Sequence, residues 1–520
     1  MIKRRKILGI LLLIISLAAL LAVAIILNNR VQNENTTTEI SKAIEIDNGD
    51  QKINWERFPL NEIELSESYS ITSSGIYHFT GELTDGLITV NVRNGDVKLI
   101  LDNVSIKNSN GPAIACLEAD DLVIELIGEN TVEDGATYSS EYNEDIASVI
   151  YSKGDLTFQG QGELTVTANY QDGIVSKDDL KFYSGKYDIL SVDDGIRGKD
   201  SVYIVGGEFA ITSGSDAIKS TNETQLGKGF ILIESGNFDI DASAKAIKAV
   251  NSILLYGGDY TIKSYDDAIH SDNYIGIIDG NIEINSGDDG IHANKKIIVD
   301  GGSINIDKAY EGIESQSITI NNGNISLKTF DDGINAGGGA DASSNNRPGA
   351  NMFDVDEDCI ISVNGGDIYI NSSGDGVDSN GYVYFNGGQV TIDGPTSNGN
   401  GALDAGGGIT MVGGKVIAIG SSGMAVTLGN DSSIFNLSIF LESEQPAGTI
   451  IDIQNAEGDT IISHISAKTF NHMAIGSEQF ELGEDYILLI NGQEYQTFTI
   501  TDITTTIGNN NKNFNIPFRR

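Results

Sequence analysis

A short phrase, Asp-Gly or Asp-Ala followed by an apolar residue, recurs along the chain. It stands at Asp172-Gly173-Ile174, Asp194-Gly195-Ile196, Asp216-Ala217-Ile218, Asp267-Ala268-Ile269, Asp289-Gly290-Ile291, Asp332-Gly333-Ile334 and Asp375-Gly376-Val377. Variants occur at Lys245-Ala246-Ile247, Glu311-Gly312-Ile313 and Gly401-Ala402-Leu403. From Ile174 to Leu403 the apolar member advances in steps of 22, 22, 29, 22, 22, 22, 21, 43 and 26. Two residues further on, the column from Ser176 and Gly198 to Ser379 and Ala405 holds no large side chain. Residues two apart share one face of a strand, so both columns are expected to face inward. Each period carries two more β-rich stretches, such as 201–205 and 208–212, divided by a glycine column that includes Gly207, Gly236, Gly258 and Gly280. A unit this short buries its apolar face only by stacking on its neighbours, strand over strand in parallel. The repeat therefore predicts an all-β chain folded as a right-handed parallel β-helix, a solenoid with coils of about 22 residues. The Leu-x-x-Leu-x-Leu frame and the long amphipathic stretches of other repeat families are absent.

The steps of 29 and 43 place insertions at residues 222–228 and 337–358. Weaker coils at Ile114 with Cys116 and Ile150 with Ser152 extend the pattern upstream, so the β-helix is expected over 51–432. Longer strands follow, and 433–520 reads as a small β-rich C-terminal module that caps the solenoid. Lys3, Arg4, Arg5 and Lys6 precede an apolar run over 7–27, long enough to span a bilayer and longer than the core of a cleavable signal. Residues 1–29 thus read as a signal anchor whose basic end stays in the cytoplasm, and 30–50 as a polar tether. This implies a single-pass protein of the cell membrane with its body extracellular; a secreted protein after signal cleavage is the alternative. The body is expected to be monomeric.

The phrase also positions charge. The 32 Lys+Arg face 74 Asp+Glu, a net charge of −42, which argues against a nucleic-acid partner. Much of the excess lies in one column: Asp172, Asp194, Asp216, Asp267, Asp289, Glu311, Asp332 and Asp375, doubled by Asp193, Asp266, Asp288 and Asp331. Stacked strands lie ~4.7–4.9 Å apart, and calcium–oxygen bonds of about 2.3–2.6 Å let one ion bridge two levels, so Ca²⁺ is the expected cofactor. Turn capping by Asp before Gly is the competing role. Lys245, standing in place of an Asp, should leave a gap in any metal row.

The residue after the apolar one should point outward: Arg197, Lys219, Lys248, His270, His292, Glu314, Asn335 and Asp378. This stripe is the expected carbohydrate-binding groove, with Tyr170, Tyr265, Tyr274 and Tyr310 placed to stack on sugar rings. His270, His292 and Glu314 also form a candidate transition-metal set. Lys219 or Lys248 would serve as the base if the chain were a calcium-dependent lyase.

The Asp-Asp-Gly-Ile phrase, the Gly206-Gly207, Gly257-Gly258 and Gly387-Gly388 turns, the Gly337-Gly338-Gly339 insertion and the Gln445-Pro446-Ala447-Gly448 segment resemble one family over about residues 50–505. It is the secreted carbohydrate-binding β-helix proteins, which bind cellulose and acidic plant sugars and look like silent relatives of family 9 pectate lyases. The resemblance implies calcium at the Asp pairs above and non-catalytic binding of polygalacturonate, pectin or cellulose. A pectate or polysaccharide lyase and a cell-surface adhesin or spacer are the alternatives.

Overall fold

The computed structural model describes residues 44, 46–140, 142, 146–337 and 355–508. The expected anchor, most of the tether and most of the second insertion lie outside the described residues. Among the described residues no helix is long and apolar enough to cross a membrane. The β architecture belongs to the unit Ile46–Arg520.

That architecture is a parallel β-solenoid. Each coil contributes three strands, as in Ile196–Gly198, Ser201–Ile204 and Glu208–Ser213, and each pairs in parallel with its counterparts one coil before and after. The register is that of the repeat: Ile174 lies over Ile196, Ile196 over Ile218, and Ile218 over Ile247. Parallel pairing begins upstream of the clear repeat, where Leu60–Leu65 runs beside Gly75–Leu83. It passes Leu403, bridged to Val377, and its last coil lays Gly408–Met411 beside Tyr382–Phe385 and Lys415–Gly420 beside Gln389–Asp393.

The inward columns behave as their residue types require. The isoleucines at 174, 196, 218, 247, 269 and 291 are fully buried, as is the small column at Ser176, Ser220 and Ala249. Smallness there has a local cause. The Ser176 hydroxyl donates to the Gly154 carbonyl at 3.0 Å and accepts from the Asp178 N–H at 3.0 Å. At Gly198 an added Cβ would stand 2.0 Å from the Ser201 carbonyl oxygen. The glycine column before the third strand is a left-handed turn: Gly207 has φ 135°, and a Cβ would also meet the Gly185 carbonyl at 3.0 Å.

The third sheet alternates exposed and buried along each strand, and its inner column is an aromatic stack. Tyr187, Phe209, Phe238 and Tyr260 lie face to face with successive centroids 4.9, 5.0 and 4.7 Å apart. Identical register is what permits this, since each ring sits directly over the last. Further along the same column Ile282, Ile304 and Ile325 take over.

The solenoid ends when chain direction reverses. Phe470–Ser477 pairs antiparallel with Lys415–Gly420 and with Asn436–Gln445, which occupies the free edge that stacking leaves. A separate four-stranded antiparallel sheet follows the order Thr460–Ile465, Ile450–Asn455, Asp485–Ile490, Gln493–Thr499. Its apolar residues join Ile417, Ile419, Met473 and Ile475 in a second core. Within it His472 is buried, 3.0 Å from the Ser438 hydroxyl and against Phe440.

Two stability predictions follow from this packing. Phe209→Ala, which interrupts the stack, is expected to cost about 3–5 kcal/mol in denaturant unfolding. Burial pushes the His472 imidazole down to about 4 from its ordinary 6.5, so the unfolded chain binds a proton more readily. The contribution of neutral His472 is complete above pH 6.5 and is lost as pH falls toward 4. Calorimetry across that window should show the natural protein losing on the order of 2–3 kcal/mol more than His472→Gln; equal losses would refute the assignment.

Candidate functional site

The acidic column stands at the corner where one coil's third strand turns into the next coil's first strand, and each of its aspartates commits one carboxylate oxygen to the backbone. Asp172 Oδ1 accepts from the Asp194 N–H at 3.1 Å, and Asp194 Oδ1 from Asp216 at 3.2 Å. Asp216 accepts from Lys245, Asp267 from Asp289 and Asp289 from Glu311, each at 3.1 Å. Asp332 and Asp375 do the same for the N–H groups of Asp375 and Gly401, both at 2.6 Å. These bonds clasp each coil to its neighbour. Turn capping and metal binding are therefore not exclusive, because the second oxygen remains.

From Asp172 to Asp289 the protein's own basic and imidazole side chains take that second oxygen. Arg197 bonds Asp172 and approaches Asp194 at 3.7 Å. Lys219 sits 3.1 Å from Asp194 and 2.8 Å from Asp216, and Lys248 is 3.8 Å from Asp216. Lys245, in the expected gap, reaches Asp266 at 2.9 Å and also bonds Asp267. His270 Nδ1 lies 2.7 Å from Asp267, and His292 Nδ1 lies 3.1 Å from Asp289. Burial favours a neutral Asp267, but the hydrogen bond from His270 and the charge of Lys245 outweigh it and hold the carboxyl below its ordinary range.

The expected open groove is corrected by this arrangement. The column is in register, yet His270, His292, Glu314 and Asn335 are buried, while Arg197, Lys219, Lys248 and Asp378 are half-buried. The basic and imidazole side chains fold back on the carboxylates three residues earlier or one coil away, where buried negative charge attracts them. Lys219 is also unsuited to act as a base. Burial opposes its charge, but Asp194 and the hydrogen bond to Asp216 raise the ammonium above its ordinary value.

Beyond Asp289 the pairing changes. Among the described residues no lysine, arginine or histidine pairs with Asp332 or Asp375. Burial, then the charges of Asp378, Asp331 and Asp375, pushes Asp332 up to about 8. Burial also pushes Asp375 up to about 7 despite the Gly401 hydrogen bond, with Asp378 and Asp404 adding to the rise. Glu311, buried and beside Glu314 and Asp289, is pushed up to about 10, although Asn335 donates to it at 2.8 Å. Asp332 and Asp375 are thus hard oxygen donors with no cationic partner among the described residues.

Exposed aromatic rings flank this run. Tyr310 and Phe330 precede Glu311 and Asp331 on consecutive coils and are 43% and 64% exposed. A hydrogen bond to Asp331 pushes the Tyr310 phenol up to about 12. Tyr265 is exposed at the corresponding corner, whereas Tyr170 stacks on Tyr138 and Tyr274 lies beneath Lys295. Phe330 escaped the sequence reading, although an apolar ring directly before a doubled Asp was visible there.

Two of the expected acidic groups do converge: Asp172, Asp193 and Asp194, and Asp266, Asp267 and Asp288, have ligand atoms within 4.8 Å of one another. A further set, Asp155, Asp178 and Asp179, was missed; Asp178 and Asp200 carry the same period of 22. Lys181 and Lys228 pair with it. A separate shallow groove of about 920 Å³ runs over the third sheet, where Glu208, Asp239, Asp259 and Glu283 outnumber Lys186.

Carbohydrate-binding domain-containing proteins match the chain over residues 66–333, just over half its length. A carbohydrate-binding domain-containing protein of Acetivibrio thermocellus is 33% identical over 156 residues, 29% of this chain and 53% of that relative. The chain thus spans about half the length of the curated relative it matches. A gadolinium derivative of the polysaccharide lyase-like protein from C. thermocellum is 29% identical, with a TM-score of 0.41 over 42% of this chain and 96% of its own.

The compensated and uncompensated levels should respond oppositely to charge removal. Lys219→Met leaves Asp194 and Asp216 facing each other and is expected to cost about 2–3 kcal/mol, reduced by the water the ammonium retains. Asp332→Asn, measured in chelator above pH about 8, should instead stabilise by on the order of 1 kcal/mol. Paired thermal melts decide; destabilisation by Asp332→Asn would show that an unseen cation partner exists.

Proposed function

We propose, from the premise that the chain belongs to the carbohydrate-binding domain-containing proteins, that it is a calcium-dependent, non-catalytic binder of plant cell-wall polysaccharide. The observation that carries this reading is the placement of the exposed Tyr310 and Phe330 at a corner that gathers Asp331, Asp332, Asp375 and Asp378, where no lysine, arginine or histidine pairs with Asp332 or Asp375 among the described residues. All four acidic side chains offer hard oxygen donors, which suits Ca²⁺ with water completing its six to eight ligands. The ion would neutralise buried carboxylates and leave positions for a uronate carboxylate. The rings supply flat apolar faces for the pyranose beside it. Without the ion this surface repels an acidic glycan, as does the acidic groove over the third sheet.

Polygalacturonate or pectin is therefore the ligand this site suits, with cellulose, which carries no carboxylate, as the neutral competitor. The charged state of Lys219 favours binding over β-elimination. The basic residues Lys3 to Lys6 and the apolar run over 7–27 support display on the outside of the cell membrane.

Retention of the full chain on immobilised polygalacturonate and on cellulose, with calcium and with chelator, tests the reading. Calcium-dependent retention on polygalacturonate is expected, weakened by Asp332→Asn and by about 1 kcal/mol or more in Phe330→Ala. Chelator-resistant retention on cellulose alone would move the assignment to a neutral glycan, and no retention on either would overturn it.

A further inference from the structure

His292 is held between two carboxylates in the interior of the ladder. Its Nδ1 lies 3.1 Å from Asp289 Oδ2 and 2.9 Å from Glu314 Oε2. Its Nε2 lies 3.1 Å from Asn294 Oδ1, so Nε2 carries the hydrogen and donates it. In the neutral ring Nδ1 then presents a lone pair to two oxygens that also only accept. Something positive belongs at that point, either a second proton or a metal ion.

A proton leaves part of the site unpaired. It satisfies at most a shared bond to Asp289 and Glu314, while the buried Oε1 of Glu314 and Oδ1 of Asn335 have no hydrogen-bond partner. Glu314 and His292 are 1% and 0% exposed, so water does not supply the missing partners at the surface. A cation bound by a carboxylate resolves the excess of acceptors directly.

We propose that Asp289, His292 and Glu314 form a site for a divalent first-row transition cation of the zinc class, distinct from the all-oxygen calcium levels. The ligand atoms of these three residues lie within 4.8 Å of one another. Bonds of about 2.0–2.2 Å to nitrogen and oxygen place neighbouring donors roughly 3.0–3.4 Å apart, so small side-chain movements admit the ion. Preorganisation comes from the fold. His292 and Glu314 are register partners on adjacent coils, and Asp289 is anchored by the Glu311 N–H through its other oxygen. Asn294 supplies the outer hydrogen bond that orients a metal-bound imidazole. The His270 ring, stacked on His292 at 5.0 Å, covers the neighbouring level. An imidazole between carboxylates selects a softer ion than Ca²⁺ does, so the two sites are independent.

The test uses the full chain, freed of metal by chelator and titrated with Zn²⁺ in excess Ca²⁺. Saturable uptake of a single equivalent is expected, with one imidazole visible in the zinc X-ray absorption spectrum of the unmutated protein. Glu314→Gln and His292→Gln should abolish uptake, and Asn294→Ala should weaken it by about 10–100-fold. Asp332→Asn, at the calcium level, should leave zinc binding unchanged whatever it does to glycan retention. Absence of uptake, a spectrum without imidazole, or displacement of zinc by calcium would overturn the assignment.

Discussion

Parallel, in-register stacking is the constraint on which the rest of this protein depends. Once Ile174 lies over Ile196 and Ile196 over Ile218, every other residue of the coil is also set over its own counterpart about one strand spacing away. For apolar residues the arrangement is favourable, because rings and branched side chains interlock down the shaft. The stack from Tyr187 to Tyr260 is the clearest instance. For charged residues the same geometry imposes a cost, since like charges are brought together at a partly dry corner.

The protein meets that cost in two ways along one column. Each ladder aspartate spends one oxygen on a backbone N–H of the next coil, which ties the acid to the clasp that maintains register. The other oxygen meets an internal partner in the first half, the cations Arg197, Lys219 and Lys245 or the imidazoles of the two histidines. In the second half, at Asp332 and Asp375, the second oxygen has no such partner among the described residues. The column is therefore divided into a segment neutralised from within and a segment whose carboxylates lack such a partner among the described residues.

Much of the fold was legible because a period of 22 leaves few options. The inward isoleucines, the small column, the positive-φ glycines and the three strands per coil all follow from period, pattern and residue size. The aromatic stack was equally visible at Tyr187, Phe209, Phe238 and Tyr260 but lay outside the repeated phrase. The site was legible only in part. Alternation along a strand correctly put Lys219, His270 and Glu314 opposite the core, but it carries no information on whether a side chain extends into solvent or returns to a neighbour.

The sequence by itself determined the coil, its register, and the gathering of acids into a single column, because each depends on spacing and residue type alone. Tertiary structure decided which acids are neutralised. Ion pairing depends on the reach of Arg197 or Lys219 to carboxylates in two coils at once, and on burial that makes an unpaired charge costly. It also left Tyr310 and Phe330 exposed, and it enclosed His292 between Asp289 and Glu314, a relation between coils that no single repeat contains.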